Sequence, residues 1–440
     1  MDNLNTGYSN LEKMMSVGKI KMSDKNITKA LNIVMFFTVM CSWAGSTIIN
    51  FDSIIFYLFS CAAPFLIAEI LNDGEYNRIK PGKIFVFLFI GYTVTFLAGS
   101  VMTLRMGSVV LGLTYIIAFP LIAKVMSSSR KQRALIDSLA NALIFNFIII
   151  LILSLIIVNP KEQAQYSGIM INPNTLGLIC AAVLLALAYK IHYKACSCYY
   201  ICTGAAAATL FFAQSRTSII CAVLLFVIML VHTLRRKDFA VFNPAKVGLC
   251  ILSALVLFSC VFYLSPLSNK ANSFVYENCV REEVKEDARD VALGDRNFDR
   301  LSDTMSGDGD FTTGRKAIWK AYIDGIGISP NGDDVVPIVN GEKLELSAHN
   351  TYIHLAYCFG LLCGVFYLLF NIWVGILSLI RHIKKKDFIS LLNLIAVVSY
   401  GMVTLVETSY NFATYIICYI YWLFTFAITI PDLGEENHNG

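Results

Sequence analysis

Twelve runs of mostly apolar residues, each near the length that crosses a bilayer, constrain this chain more than any other feature. A spanning helix needs about 20 such residues, because lipid offers no partner for an open backbone polar group. The runs fall near 30–49, 53–71, 83–103, 107–126, 138–158, 174–193, 197–213, 218–234, 246–265, 351–380, 388–406 and 412–430. Composition agrees: 56% of the 440 residues are hydrophobic and only 15% are charged, where a soluble domain carries about 25% charged residues. A disordered chain, a collagen-like chain and a small disulfide scaffold are excluded, and an ordinary soluble enzyme fits poorly. The first 29 residues are polar and the first run has full spanning length, which reads as a first span and not as a cleaved leader.

Positive charge sets the expected orientation. With the N-terminus in the cytoplasm, the segments left inside hold 22 of the 35 Lys and Arg residues. The short outside connections hold only Arg105, Lys161 and Arg216, and the remaining ten lie in the long polar stretch 266–350. The expectation is an all-α polytopic membrane protein of about twelve transmembrane helices, with a large extracytoplasmic loop between helices 9 and 10. Its parts read as a cytoplasmic segment 1–29, helices 1–9 over 30–265, the loop subdomain 266–350, helices 10–12 over 351–430, and a cytoplasmic tail 431–440. The loop is locally acidic, with 16 Asp and Glu against those ten basic residues, and holds turn signals at 307–310, Pro330-Asn331-Gly332 and Asn340-Gly341.

Twelve of the 13 cysteines fall in apolar runs or at their edges, where Cys acts as a small hydrophobe. Only Cys279 lies in the loop, so the loop holds no internal disulfide. Cys196 and Cys198 stand too close in sequence for a usual zinc pair. Asp308-Gly309-Asp310 reads as an acidic turn and not a metal site, and Gly360-x-x-x-Gly364 reads as a helix-packing pattern. No phosphate-binding loop, dinucleotide fingerprint or nucleophile elbow occurs.

The informative residues are the polar ones gathered at the expected outer surface. Arg216, in Gln214-Ser215-Arg216-Thr217, is either a snorkelling interfacial arginine or an anion clamp whose planar fork suits phosphate oxygens. Arg315 and Lys316 stand in the first turn of a helix opened by Thr312 or Thr313 and running through Trp319 and Tyr322. That placement is poor for the helix dipole and good for an anion. His349-Asn350 stands where the loop enters helix ten, and histidine can take a proton from a hydroxyl near neutral pH. His354 lies off its face. Asn172-Pro173-Asn174 opens helix six as a cap, and Glu407 closes helix eleven, placed to counter one of the arginines.

In order and spacing these motifs resemble the bacterial O-antigen polymerase and O-antigen ligase superfamily over most of the chain. The matching positions are Asn172-Pro173-Asn174, Ser215-Arg216-Thr217, Gly314-Arg315 with Trp319, Gly325-Ile326-Gly327, and His349-Asn350 followed by Tyr352 through Gly360. The resemblance implies a metal-independent glycosyltransferase without a cofactor. It would act on undecaprenyl-pyrophosphate-linked oligosaccharide outside the bacterial cytoplasmic membrane, beside a flippase and a chain-length regulator and without nucleic acid. In that reading Arg216, Arg315 and His349 are catalytic. Asn172, Asn174, Ser215, Trp319, Asn350 and Glu407 line the substrate site. The expected function is polymerisation of repeat units into a surface polysaccharide such as O-antigen, capsule or exopolysaccharide. A ligase passing glycan to a lipid core or protein is the alternative. A transporter or flippase is a second alternative, but it would carry ionisable groups near the bilayer midplane, where these helices have almost none. A structural scaffold would need no arginine clamp.

Overall fold

The computed structural model describes residues 24–47, 54–71, 82–158, 166–236, 243–263, 315–332, 335–339, 342–344, 347–412 and 415–427. The described chain is nearly all helical. The first nine helices are α1 (Asp24–Ala44), α2 (Ile54–Ile70), α3 (Lys83–Met102), α4 (Met106–Met126), α5 (Ser129–Ile157), α6 (Pro173–Tyr193), α7 (Ser197–Ala213), α8 (Arg216–Arg236) and α9 (Pro244–Tyr263). After residue 314 follow α10 (Arg315–Asp324), a two-stranded hairpin of β1 (Ile338–Val339) and β2 (Glu342–Lys343), then α11 (Thr351–Phe359), α12 (Leu361–Lys385), α13 (Phe388–Val406) and α14 (Ile416–Ala427). Eight of these helices are long and apolar enough to cross a membrane, with shorter apolar helices in α7, α9 and α14.

The helix starts follow from local chemistry. The Asn172 side chain accepts the Asn174 amide at 2.8 Å and Pro173 takes the first helical position of α6. Asp387 caps α13 by accepting the Ser390 amide at 2.7 Å. Asn350 caps α11 by accepting the amides of Tyr352 and Ile353 at 3.0 and 3.1 Å. Between the helices lies an aromatic core. Trp422 stacks on Phe119 with ring centres 4.3 Å apart, and Tyr92 meets Tyr367 at 4.6 Å. Such offset pairs add about 0.5–1.5 kcal/mol each beyond their burial. Basic and acidic partners mark one end of the bundle: Lys131 is buried against Glu69 at 3.2 Å, and Lys190 pairs with Asp137.

One expected element is corrected. The apolar run 351–380 is not a single span but two helices that fold back on each other at Gly360. In one continuous helix Tyr352 and Gly364 would stand about 18 Å apart. Here a Cβ on Gly364 would lie 2.6 Å from the Tyr352 carbonyl. Gly360 makes the turn with φ +94°, a backbone region that side chains disfavour. The Gly360–Gly364 pattern therefore serves a sharp reversal, with Gly364 packed on α11 rather than on a distant helix. The reversal leaves the last carbonyls of α11 without helical partners. The segment 325–332 supplies them: the Asn331 amide reaches Tyr357 O at 3.2 Å and the Gly332 amide reaches Cys358 O at 2.9 Å. In return the Leu361 amide donates to Gly327 O at 3.0 Å. The Gly325-Ile326-Gly327 motif thus docks α10 onto the end of α11, and Asn340-Gly341 lies outside the described residues. Cys279, residues 307–310, Thr312, Thr313 and Gly314 lie outside the described residues.

A Cβ at Gly360 would stand 2.7 Å from Ile328 O at a positive φ. Gly360→Ala should cost about 1–3 kcal/mol and lower the melting temperature of the detergent-solubilised protein. An unchanged melting temperature would show that the reversal does not depend on glycine.

Candidate functional site

Glu407, the residue that ends α13, is the meeting point of the polar groups from four separate parts of the chain. Its Oε1 accepts from the Asn174 Nδ2 at 2.9 Å and from the Arg315 Nη2 at 3.3 Å. Its Oε2 stands 3.3 Å from His349 Nδ1. The three charged or ionisable side chains are largely sheltered, with 17% of Glu407, 21% of Arg315 and 26% of His349 exposed. Partial desolvation strengthens such contacts relative to those on an open surface.

The local folding of each donor explains why it reaches this point. Asn174 is in the first turn of α6, Arg315 is the first residue of α10, and His349 immediately precedes the cap of α11. His349 has φ +44°, an unusual conformation for a residue with a side chain. It lets the chain enter α11 while the imidazole turns toward Glu407. Helix N-termini carry partial positive charge, so three of them surround one carboxylate. A fourth is adjacent. Gly177, one turn into α6, would place a Cβ 2.5 Å from that of Ser215, so α6 and the start of α8 touch here. Arg216 opens α8 at this contact. It is half-buried and makes no hydrogen bond or ion pair among the described residues, so its donors remain available.

The other sequence-derived candidates fall into place around this core. Asn172 is used as the α6 cap. Ser215 is buried and shares a 2.9 Å hydrogen bond with Ser218, so it acts in packing. Asn350 caps α11 and also donates to Leu405 O at 2.9 Å. Trp319 lies one turn along α10 from Arg315, half-buried, with its indole N–H lacking a hydrogen-bond partner among the described residues. His354 turns away and stacks on Tyr410 at 5.6 Å.

Sequence reasoning missed the groups that hold Glu407 in place. Thr351 is fully buried; its hydroxyl donates to Glu407 O at 2.7 Å and accepts from the Ser409 amide at 2.9 Å. The Tyr400 hydroxyl donates to Ser409 O, and the Tyr115 hydroxyl to Tyr410 O at 2.6 Å. Tyr352 reaches Thr404 at 2.8 Å. Backbone 407–410 is thus tied to α4, α11 and α13. The only signal available for Thr351 is its place directly after His349-Asn350. For Tyr115 and Tyr400 a tyrosine in an apolar run offers no clue to its partner.

Chemically, the arrangement offers a fixed carboxylate, an imidazole oriented by it, and two guanidinium groups beside converging helix N-termini. It can bind an anion and move a proton at one place. Thr351→Val should strand a buried carbonyl and a buried amide, at a cost of about 1–3 kcal/mol. Amide exchange at Ser409 should rise, and Thr351→Ser should restore it. Equal exchange in all three proteins would show that the tie is not needed.

A model of the family described as O-antigen ligase matches residues 201–368. No curated protein matches the chain. The matched segment includes Arg216, Arg315, Trp319, His349 and Asn350, whereas Asn174 and Glu407, which complete the cluster, lie on either side of it. That family consists of glycosyltransferase-like membrane enzymes. Over residues 201–368 the chain is thus similar to the O-antigen ligase family.

Proposed function

We propose that this protein is a metal-independent glycosyltransferase that takes glycan from a polyprenyl-pyrophosphate carrier and joins repeat units into a surface polysaccharide. The convergence of Arg315, His349 and Asn174 on Glu407 carries this reading. The donor's pyrophosphate needs cations, and its prenyl tail needs lipid. Arg216 and Arg315 offer the first beside the helix N-termini, and the apolar helices offer the second.

The reaction follows from these groups. When His349 Nδ1–H donates to Glu407, the Nε2 lone pair is free to take the proton of an attacking sugar hydroxyl. The hydroxyl oxygen bonds to the anomeric carbon as the bond from that carbon to the pyrophosphate oxygen breaks. The lipid pyrophosphate leaves with the bonding electrons, and Arg216 and Arg315 stabilise its growing charge. Glu407 offsets the imidazolium that forms. Asn174 steadies the carboxylate, and Trp319 offers a flat apolar face beside Arg315 for a sugar ring. The site faces outward in the charge-derived orientation, on the side where lipid-linked units await joining.

Polymerisation is favoured over ligation by the predominance of polymerases in the superfamily that the sequence resembles. The description of the matched family favours the ligase reading, in which the same chemistry passes finished glycan to a lipid core or a protein.

Surface polysaccharide profiles of a deletion strain carrying each variant test these roles. A single repeat unit at the surface of the deletion strain would indicate a polymerase, and full-length glycan retained on its lipid carrier would indicate a ligase. His349→Ala should lower product formation by about 10²- to 10⁴-fold. Arg315→Lys should also be strongly impaired, because a point charge does not reproduce the guanidinium fork. Normal product from His349→Ala would remove the base, and normal product from Arg216→Ala would remove the clamp. Lipid-linked units trapped on the inner face would favour a transporter instead.

A further inference from the structure

At the end of the bundle opposite Glu407 the chain places two thiols side by side. Cys196 immediately precedes α7 and Cys198 lies in its first turn, with their sulfur atoms 3.3 Å apart. Cys198 is exposed and Cys196 half-exposed, unlike Cys180, Cys221 and Cys418, which are buried between helices. A third, half-buried thiol, Cys202, follows one turn later on the same face of α7. The connection that presents the pair is held by Lys246, whose ammonium group donates to Ala195 O and lies 5.7 Å from the Tyr200 ring. Neither Cys196 nor Cys198 packs in the hydrophobic core, and neither belongs to the Glu407 site.

We propose that Cys196 and Cys198 form a dithiol modification site that exchanges with a low-molecular-weight disulfide, with Cys196 attacking and Cys198 resolving. Two observations beyond proximity point to this order. The thiolate is the reacting form of a cysteine. The amide and thiol of Cys198 beside it, then the ammonium groups of Lys194 and Lys246, pull the Cys196 thiol below the ordinary range. Cys196 also stands at a helix N-terminus, the end that favours negative charge.

The steps balance. The Cys196 thiolate bonds to one sulfur of the incoming disulfide, and the other sulfur leaves as a thiolate. The Cys198 sulfur then bonds to Cys196, releasing the second small thiol, and its proton passes to the leaving group or to water. Two protein thiols are oxidised by two electrons and one small disulfide is reduced to two thiols. Closing the protein bond asks the sulfurs to approach by about 1.2 Å, from their present contact to a covalent length near 2.0 Å. Because one sulfur lies just before α7 and the other in its first turn, that approach moves helix-end residues and not the packed bundle.

The test uses the full-length protein in detergent, treated with glutathione disulfide and read by peptide mass spectrometry. The wild type should yield a peptide with Cys196 bonded to Cys198. Cys198→Ser should instead accumulate glutathione on Cys196, several-fold faster than on Cys250, a half-buried cysteine of neighbouring α9. Cys196→Ser should yield neither product. A wild-type peptide that stays a dithiol under these conditions overturns the proposal. So does an adduct that forms on Cys196 no faster than on Cys250, or one that forms equally well on Cys198 when Cys196 is replaced. The substitutions are small and peripheral, and recovery of monodisperse protein by gel filtration separates misfolding from loss of reactivity.

Discussion

A single carboxylate organises the polar end of this membrane protein. Glu407 stands where α13 stops, at a helix C-terminus whose free carbonyls already disfavour negative charge. It is held there because the neighbouring elements all present the opposite sign: the start of α6 with Asn174, the start of α10 with Arg315, and the start of α11 with His349. Removing the carboxylate would leave a half-buried guanidinium and imidazole facing each other across three helix N-termini. The guanidinium charge and the partial positive charges of the helix ends would then push α10 away from α6 and α11. The pair Arg315–Glu407 is therefore more than one surface ion pair, which alone would contribute about 0–1 kcal/mol. It decides where a short polar helix comes to rest.

The second constraint is the reversal at Gly360. It turns a run long enough for one span into a short helix and a long one, and it leaves a set of unpaired carbonyls at the end of α11. Those carbonyls recruit segment 325–332, and that segment carries α10 with Arg315 at its other end. Close approach on the opposite side completes the frame: a Cβ at Gly99 would lie 2.6 Å from Phe359 O, so α3 runs directly against the end of α11. A backbone turn at Gly360 thus sets the position of a guanidinium at the far end of α10. The two constraints meet at Thr351, which joins the start of α11 to the end of α13 through one hydroxyl.

Much of this is legible in the order of the residues alone. Length and apolarity locate the helices because lipid permits little else, and the ends of α6, α7 and α13 coincide with the expected ones within a residue or so. Asn174, Arg315, His349 and Glu407 can be singled out because a polar group near lipid needs a reason. Three things are hidden. A helix break needs only one glycine and looks, in sequence, like the small-residue spacing that packs helices, so the run through Gly360 reads as continuous. The ties from Tyr115 and Tyr400 depend on which helix lies opposite, and the composition of an apolar run says nothing of its neighbours. Asn172 and Asn174 look equivalent on paper, yet one side chain turns back to cap its own helix and the other crosses to Glu407, a choice made by their different places in the first helical turn.

The same geometry explains how a site can be ready for an anion before one arrives. Glu407 already neutralises Arg315 and orients His349, so the cluster does not carry an uncompensated charge in a sheltered place, which would be costly. Its remaining capacity lies in directions the carboxylate does not fill: the other donors of the Arg315 fork, Arg216, which is unengaged among the described residues, and the helix amides of α8 and α10. In the proposed reaction an incoming pyrophosphate would add to these without displacing the carboxylate from His349. Under that proposal, binding and proton transfer would use different edges of one hub. A lysine at position 315 would have to choose between the two partners, because three donors on one tetrahedral nitrogen do not span two anions as a planar fork does. The proposed clamp thus asks for arginine because it would hold a fixed internal anion and an exchangeable external one at the same time.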